Sequence, residues 1–282
     1  MRVGIIGLGL MGGSLAKALF GKPEIHVAGA DLSAETEKEA LAQSAVNEIA
    51  DAESIFSSCD VTILAVPPRA AVSLIEKYSA KMPKGATLSD ICGVKRPILA
   101  AAKNLPKGCR YVGGHPMAGK EKGGFANSTH LLFRDAHFIV VPEPLAEKEH
   151  IDRIKRLIRL VGCRDIVVTD AETHDERIAY TSQLMHVLAA ALCASGQHML
   201  SKGFEGGSFR GAVRVADIDA PLWTELFSMN SDALVRQISE LEKNLADLRG
   251  IIESGDEKRI CESLKKTALE KEKWNEQSVG ES

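Results

Sequence analysis

A doubly wound, mostly parallel α/β sheet followed by an all-helical region is the architecture this sequence predicts, and three observations predict it. Short apolar runs alternate with helical patterns over about the first 170 residues. The first of those runs feeds directly into a glycine fingerprint that opens a helix. From Glu172 onward the strand pattern stops and only helical periodicity remains. The expected division is residues 1–170 and residues 171–282.

Residues 2–6 form a nearly continuous apolar run, as expected of a parallel strand buried on both faces. They lead into Gly7-Leu8-Gly9-Leu10-Met11-Gly12, which matches G-x-G-x-x-G. The first glycine permits the tight turn, the second lets a pyrophosphate lie against the backbone, and the third lets helix and strand pack closely. Amides at the helix N-terminus then face the phosphates. A second apolar run, residues 26–30, ends in Asp31, 24 residues after Gly7. An acid there accepts hydrogen bonds from ribose hydroxyls and repels a 2′-phosphate. Leu32-Ser33-Ala34 follows, with no arginine, so NAD is expected in preference to NADP. Gly7, Leu8, Gly9, Leu10, Met11, Gly12 and Asp31 are the expected cofactor residues of a Rossmann-like domain, joined by Val66 and Pro67 at the end of the third run.

That third run, residues 61–66, is stopped by Pro67-Pro68, and Ala71, Val72, Leu74 and Ile75 mark the helix after it. Residues 87–89 lead into Asp90-Ile91-Cys92-Gly93-Val94-Lys95. Tyr111-Val112 then delivers a loop, Gly113-Gly114-His115-Pro116-Met117-Ala118-Gly119. Its glycines and proline suit close approach to a ligand, and its imidazole can exchange a proton near neutral pH. Residues 137–141 end at Pro142, residues 151–161 carry a helical stripe of Ile154, Leu157, Ile158 and Val161, and residues 166–168 give a last strand. The Pro67, Lys95 and His115 segments all fall at carboxyl ends of strands, where such sheets bind ligands.

In the helical region, apolar positions from Ile178 to Met199 recur at three- and four-residue steps, predicting one long helix with a buried stripe. Residues 203–211 read as a glycine-rich loop. Leu234, Ile238, Leu241, Leu245, Leu248 and Ile252 step by four and three, a heptad-like seam that wants a second helix against it. The expected outcome is a dimerisation interface. The stretch from residue 265 on is mostly charged and expected to fray.

The net charge of −3 gives no bulk reason to expect nucleic acid or an anionic membrane as partner. Six scattered cysteines, without a C-x-x-C pair or a His/Cys cluster at ligand spacing, fit reduced thiols and predict no metal site. No apolar run approaches the roughly 18–20 residues a bilayer requires, and the N-terminus leaves no room for a signal peptide. A cytoplasmic protein is expected.

The combination resembles the prephenate/arogenate dehydrogenase family of tyrosine biosynthesis. The resemblance is carried by the fingerprint through Ser14, by the Gly113–Gly119 stretch with Glu121 beyond it, and by His174-Asp175. It continues through Tyr180-Thr181-Ser182-Gln183-Leu184-Met185-His186, the Gly206-Gly207-Ser208-Phe209 stretch with Arg214, and Pro221-Leu222-Trp223. It implies NAD-dependent oxidative decarboxylation of prephenate or arogenate, with His115 taking the ring hydroxyl proton. It also implies a homodimer, and tyrosine as a competitive inhibitor at the active site. Arg214 then pairs with a substrate carboxylate, a task suited to a planar fork. Gly207 joins the substrate site.

On spacing alone His186 is a core histidine of an apolar helix; the resemblance makes it a second substrate-site histidine. For His174 two readings stand, a solvated residue near the helix start or a structural role at the site. Glu121 gates the pocket, holds a nearby cation, or is a solvated loop acid beside Lys120 and Lys122. Trp223 either lines the pocket or is core. One departure stands out: the family pattern Asp-x-Gly-Ser-x-Lys has Gly93 here in place of its serine, with a water or Ser89 left to supply the hydroxyl. Two rival readings remain, a dehydrogenase of the β-hydroxyacid or pyrroline-carboxylate type, and a non-catalytic NAD-binding regulator.

Overall fold

The computed structural model describes residues 1–120 and 122–277. Its centre is an eight-stranded sheet in the order β3-β2-β1-β4-β5-β6-β7-β8. The first half follows the alternation expected: β1 (Arg2–Ile6), α1 (Leu10–Leu19), β2 (His26–Ala30), α2 (Ala34–Ala42), β3 (Glu48–Ile49), α3 (Ala52–Ser58), β4 (Val61–Leu64), α4 (Pro68–Tyr78) and β5 (Thr87–Asp90). After these come α5 (Arg96–Ala101), β6 (Arg110–Pro116), β7 (His137–Pro142), α6 (Lys148–Leu160) and β8 (Asp165–Val168). All neighbouring pairs are parallel except β6 with β7. β1 and β4 are buried along nearly their whole length, which is why they are apolar without alternation. The two faces carry separate cores, one with Val3, Ile5 and Leu15, the other with Ile55, Phe56 and Ile75.

The two-residue β3 has no apolar run to announce it; Glu48 and Ile49 are extended because they pair with Ala28 and Gly29. A larger difference concerns His115. The Gly113–Pro116 segment is not a loop: it is the second half of β6, and His115 pairs with Ile139 of β7. Glycine and proline disfavour a strand locally, and the antiparallel ladder to β7 outweighs that preference. The strand period places Tyr111, Gly113 and His115 on one face. Gly113 is required there, since a side chain would collide with the Tyr111 hydroxyl and stand 2.9 Å from Lys95 Cδ.

Among the described residues no strand follows Val168. The helices are α7 (Ala171–Ile178), a π-helical turn (Ala179–Gln183), α8 (Leu184–Ala194), α9 (Gln197–Leu200), α10 (Gly207–Val213), α11 (Ala220–Met229), α12 (Ser231–Glu253) and α13 (Glu257–Glu276). The single long helix expected from Ile178 to Met199 is therefore divided. Its wide turn re-phases the buried stripe, and the left-handed Gly196 ends α8. Beyond that break Met199 is 73% exposed. The glycine-rich stretch expected as loop contains α10, and the charged end expected to fray is helical through Glu276. The seam is on α12 as expected: Leu234 is buried, Ile238 and Leu241 are half-buried, and Leu245, Leu248 and Ile252 at its far end are exposed. No described helix is long and apolar enough to cross a membrane.

Candidate active site

The fingerprint turn is built as its glycines require. Gly7 sits at φ +93°, where its amide reaches Ala30 O at 2.8 Å and any side chain would strike the Ala65 carbonyl. A side chain on Gly12 would strike the Gly7 carbonyl, so α1 lies hard against the turn. At Gly9, by contrast, an added Cβ meets nothing within 4 Å. That opening faces the start of α1, whose first amides lack intrahelical partners. A dinucleotide pyrophosphate fits this cradle.

Asp31 follows β2 directly and locks the turn: Oδ2 accepts from the Leu8 amide at 2.7 Å and Oδ1 from the Ser33 amide at 2.9 Å. The Leu8 amide is thus engaged within the protein and its side chain is core, so Leu8 shapes the cradle without facing it. Where β4 gives way to α4, Val66 is half-buried and Pro67 is exposed.

The second group surrounds His115. Its Nδ1 lies 2.9 Å from His174 Nε2, and His174 Nδ1 lies 2.7 Å from Asp175 Oδ1. The carboxylate can only accept, so His174 carries its proton on Nδ1 and offers a lone pair at Nε2. His115 must then donate from Nδ1. Its Nε2 is left with a lone pair, the form a general base needs.

Asp175 is fully buried and held by the amides of Lys95 at 2.7 Å and Arg96 at 2.9 Å. Burial pushes its carboxyl up, but the bonds from His174 and those amides outweigh this and hold it below the usual range. Burial, the nearby Lys95 ammonium and His174 push the His115 imidazole well below its ordinary value. His174 is also lowered by burial, partly offset by its bond to Asp175. Both rings are therefore neutral near pH 7.

Behind them lies a buried polar cluster. Lys95 Nζ pairs with Asp90 Oδ2 at 2.6 Å, both side chains fully inaccessible, and donates to Cys92 O at 2.6 Å. The Tyr111 hydroxyl donates to Asp90 Oδ1 at 2.6 Å. A buried charge pair persists when its remaining hydrogen-bonding capacity is met in this way.

A third group is formed by α8, α10 and α11. His186 stacks on Trp223 with ring centroids 3.5 Å apart. Its Nδ1 donates to Ser182 O at 3.1 Å, leaving Nε2 as an acceptor. Burial lowers the His186 imidazole, the Ser182 bond partly restores it, and the Arg214 guanidinium lowers it further. α11 joins this group to the relay: three residues on from Trp223, Leu226 Cδ2 comes within 3.1 Å of a Cβ position at Gly93, itself 3.9 Å from His115 Cε1. The place where a residue-93 side chain would project is thus walled by Leu226. Ser89 does not replace a hydroxyl there, because its Oγ donates to Val112 O at 2.7 Å.

Of the expected site residues, His115 and His174 meet directly, and His186, Trp223 and Arg214 form an adjoining wall. His174 is no solvated cap residue, being 1% exposed. Gly207 opens α10 with no neighbour within 4 Å of a Cβ position, and Glu121 lies outside the described residues. Sequence reasoning gave no role to Asp175, Arg96 or Asn230, though the acid directly following His174 was a usable signal. Among the described residues no cluster of His, Cys, Asp or Glu could hold a metal ion.

The burial of neutral imidazoles has a consequence for stability. His115, His174 and His150, the last also lowered by burial, titrate below the ordinary 6.5 in the folded protein. As pH falls below that value the unfolded chain takes up protons the folded one refuses, so stability falls. The urea midpoint is expected to be lower at about pH 5.5 than at about pH 7.5. An equal midpoint at both would contradict the neutral relay.

A family model for the prephenate dehydrogenase nucleotide-binding domain matches residues 15–167, and one for the prephenate dehydrogenase dimerization domain matches residues 170–266. The chain is 30% identical to the cyclohexadienyl dehydrogenase of Zymomonas mobilis, over 94% of this chain and 93% of that protein. It is 27% identical to the prephenate dehydrogenase of Bacillus subtilis, over 93% of this chain and 72% of that one. The solved structure of prephenate dehydrogenase from A. aeolicus, in complex with hydroxyphenyl propionate and NAD+, superposes with a TM-score of 0.87. It is 29% identical and covers 97% of this chain and 98% of its own. With both family models matched along most of its length, this chain belongs to the prephenate dehydrogenase family.

Proposed function

We propose that the chain oxidatively decarboxylates prephenate, arogenate or both with NAD, and that His115 is its general base. The single observation carrying this is the hydrogen-bonded series Asp175–His174–His115, which leaves a lone pair on His115 Nε2. NAD, when bound, supplies the hydride acceptor. The ring hydroxyl gives its proton to His115 Nε2 as the hydride departs from the same ring carbon. The C–C bond to the ring carboxylate then breaks, CO2 leaves, and the electron pair aromatises the ring. The proton returns to the phenolic oxygen.

The residues of this chain align the reacting atoms and hold one proton, which suits a step that aromatisation drives. A base whose pKa lies below the working pH is already deprotonated when substrate arrives. Arg214 and His186, beside Trp223, are assigned to the substrate carboxylates and Gly207 to the same pocket, while Glu121 keeps the gating role that the family resemblance implies. Tyrosine shares the ring and the carboxylate-bearing side chain and is expected to compete there. The hydroxyphenyl propionate held by the A. aeolicus relative is of that shape.

Asp31, with Leu32 and Ser33 following and no cation among them, supports NAD over NADP. A division into residues 1–170 and 171–282 is supported by the end of the sheet at Val168. The matched dimerization domain and the uncovered seam of α12 support a homodimer.

The test is NADH formation at 340 nm with prephenate and arogenate offered separately, each with NAD and NADP. Turnover of either substrate with NAD is expected; absence of turnover with NAD still bound would favour the non-catalytic regulator. Arg214→Ala is expected to raise the substrate KM by about 10- to 100-fold with a smaller change in kcat, through loss of charge-assisted bonds. An unchanged KM would move the carboxylate site elsewhere.

A further inference from the structure

Asp175 orients the relay, and Arg96 in turn organises Asp175. The Arg96 side chain folds back over its own amide so that Nε reaches Asp175 Oδ2 at 3.2 Å. Its outer nitrogens grip Asp232 in two parallel bonds of 2.8 and 2.6 Å, the fork geometry that makes such pairs strong. Nη2 also donates to Asn230 Oδ1 at 2.7 Å, and Nη1 stands 3.4 Å from Glu172. Asn230 is fully buried, and its amide donates to the Asp175 carbonyl and to Gln183 Oε1, each at 2.9 Å. Asn230 and Asp232 are the N-cap and first turn of α12, the helix whose far end bears the uncovered seam.

Other charges lie around this group. Lys95 and Asp90, with Tyr111 and Cys92, lie toward the sheet; Glu172 on α7 and Asp232 on α12 pair with Arg96, Arg236 on α12 pairs with Asp232 and with Glu176 on α7, and Glu225 on α11 acts on Cys92. Arg96 pairs with the carboxylates of both Asp175 and Asp232.

We propose that Arg96 is a positioning residue that sets the charge Asp175 presents to His174 and His115, and that Asp232 sets how much of Arg96's charge remains for Asp175. The start of α12 is thereby wired to the proton-accepting atom. The inference rests on His115 being the base. Without the guanidinium, Asp175 is less compensated and the imidazoles protonate more readily. Without the Asp232 charge, the guanidinium acts on Asp175 undivided and they protonate less readily.

Two variants test this, Arg96→Gln and Asp232→Asn, the second on a half-exposed side chain whose amide keeps its shape. The acid limb of kcat is expected to move up by about half a pH unit in the first and down by a similar or smaller step in the second. The same opposed shifts are expected in the NMR titration of His115 and His174 in the free protein, a readout that needs no turnover. A purely structural strap would lower Tm in both while leaving limb and titration unmoved; that result, or shifts of one sign, overturns the inference. Wild-type protein silent on both substrates would sink the functional reading alone, and the NMR titration would still decide the role of Arg96.

Discussion

His115→Asn is expected to lower kcat by roughly 10²–10⁴-fold while NAD affinity stays within about twofold. Asparagine is chosen because its side-chain amide can donate to His174 Nε2, as the His115 Nδ1 proton does at 2.9 Å. The relay behind it therefore stays assembled. What is lost is the second ring nitrogen, and with it the capacity to hold a proton. NAD affinity should persist because the cradle is built elsewhere, from Gly7, Gly9 and the start of α1, with Asp31 at the end of β2. Stopped-flow NADH formation and a separate NAD titration check the two halves of the expectation. Turnover near the parent rate would remove His115 from the chemistry. Weakened NAD binding would instead mean that β6 also supports the cofactor.

What the sequence made legible was whatever a short window determines. The cofactor cradle is local: β1, the fingerprint and α1 are consecutive, and Gly7 announces its own positive φ. The α12 seam is also local: its four- and three-residue steps lie within one unbroken helix. The centre of the site is of another kind. Asp175 is joined to the Lys95 amide across 80 residues of sequence, and Arg96 to Asp232 across 136.

No periodicity records such pairings, and the usual preference of lysine and aspartate for the surface argues against the fully buried Lys95–Asp90 pair. Residue 115 shows a mixed case. The sequence picks out the imidazole, yet its glycine-rich neighbourhood hides the strand that aims it, since that strand depends on pairing with β7. The division of the Ile178–Met199 helix was hidden for a similar reason: apolar spacing continues through the π-helical turn, while tertiary contact fixes where the extra residue goes.

Asp175→Asn is expected to cost nearly as much as loss of His115 itself, about 10²–10⁴-fold in kcat, although Asp175 touches neither substrate nor cofactor in the proposed mechanism. The outcome follows from the number of donors facing each carboxylate oxygen. Oδ1 accepts from His174 Nδ1 and the Lys95 amide; Oδ2 accepts from the Arg96 amide and Arg96 Nε. Asparagine can keep an acceptor on one side only. Placing its NH2 toward Arg96 opposes two donors there, whereas placing it toward His174 opposes only the Lys95 amide, so the second orientation wins. His174 Nδ1 must then accept, its proton moves to Nε2, and it donates to His115 Nδ1. His115 in turn carries its proton on Nε2, the atom that has to receive one from substrate. The fold persists with some loss of stability from the opposed Lys95 amide, while the base is held in the wrong tautomer. Nitrogen-15 shifts of the two imidazoles, read beside kcat, check this directly: both rings should change from Nδ1–H to Nε2–H. An inactive variant with unchanged tautomers would mean that Asp175 acts through its charge alone.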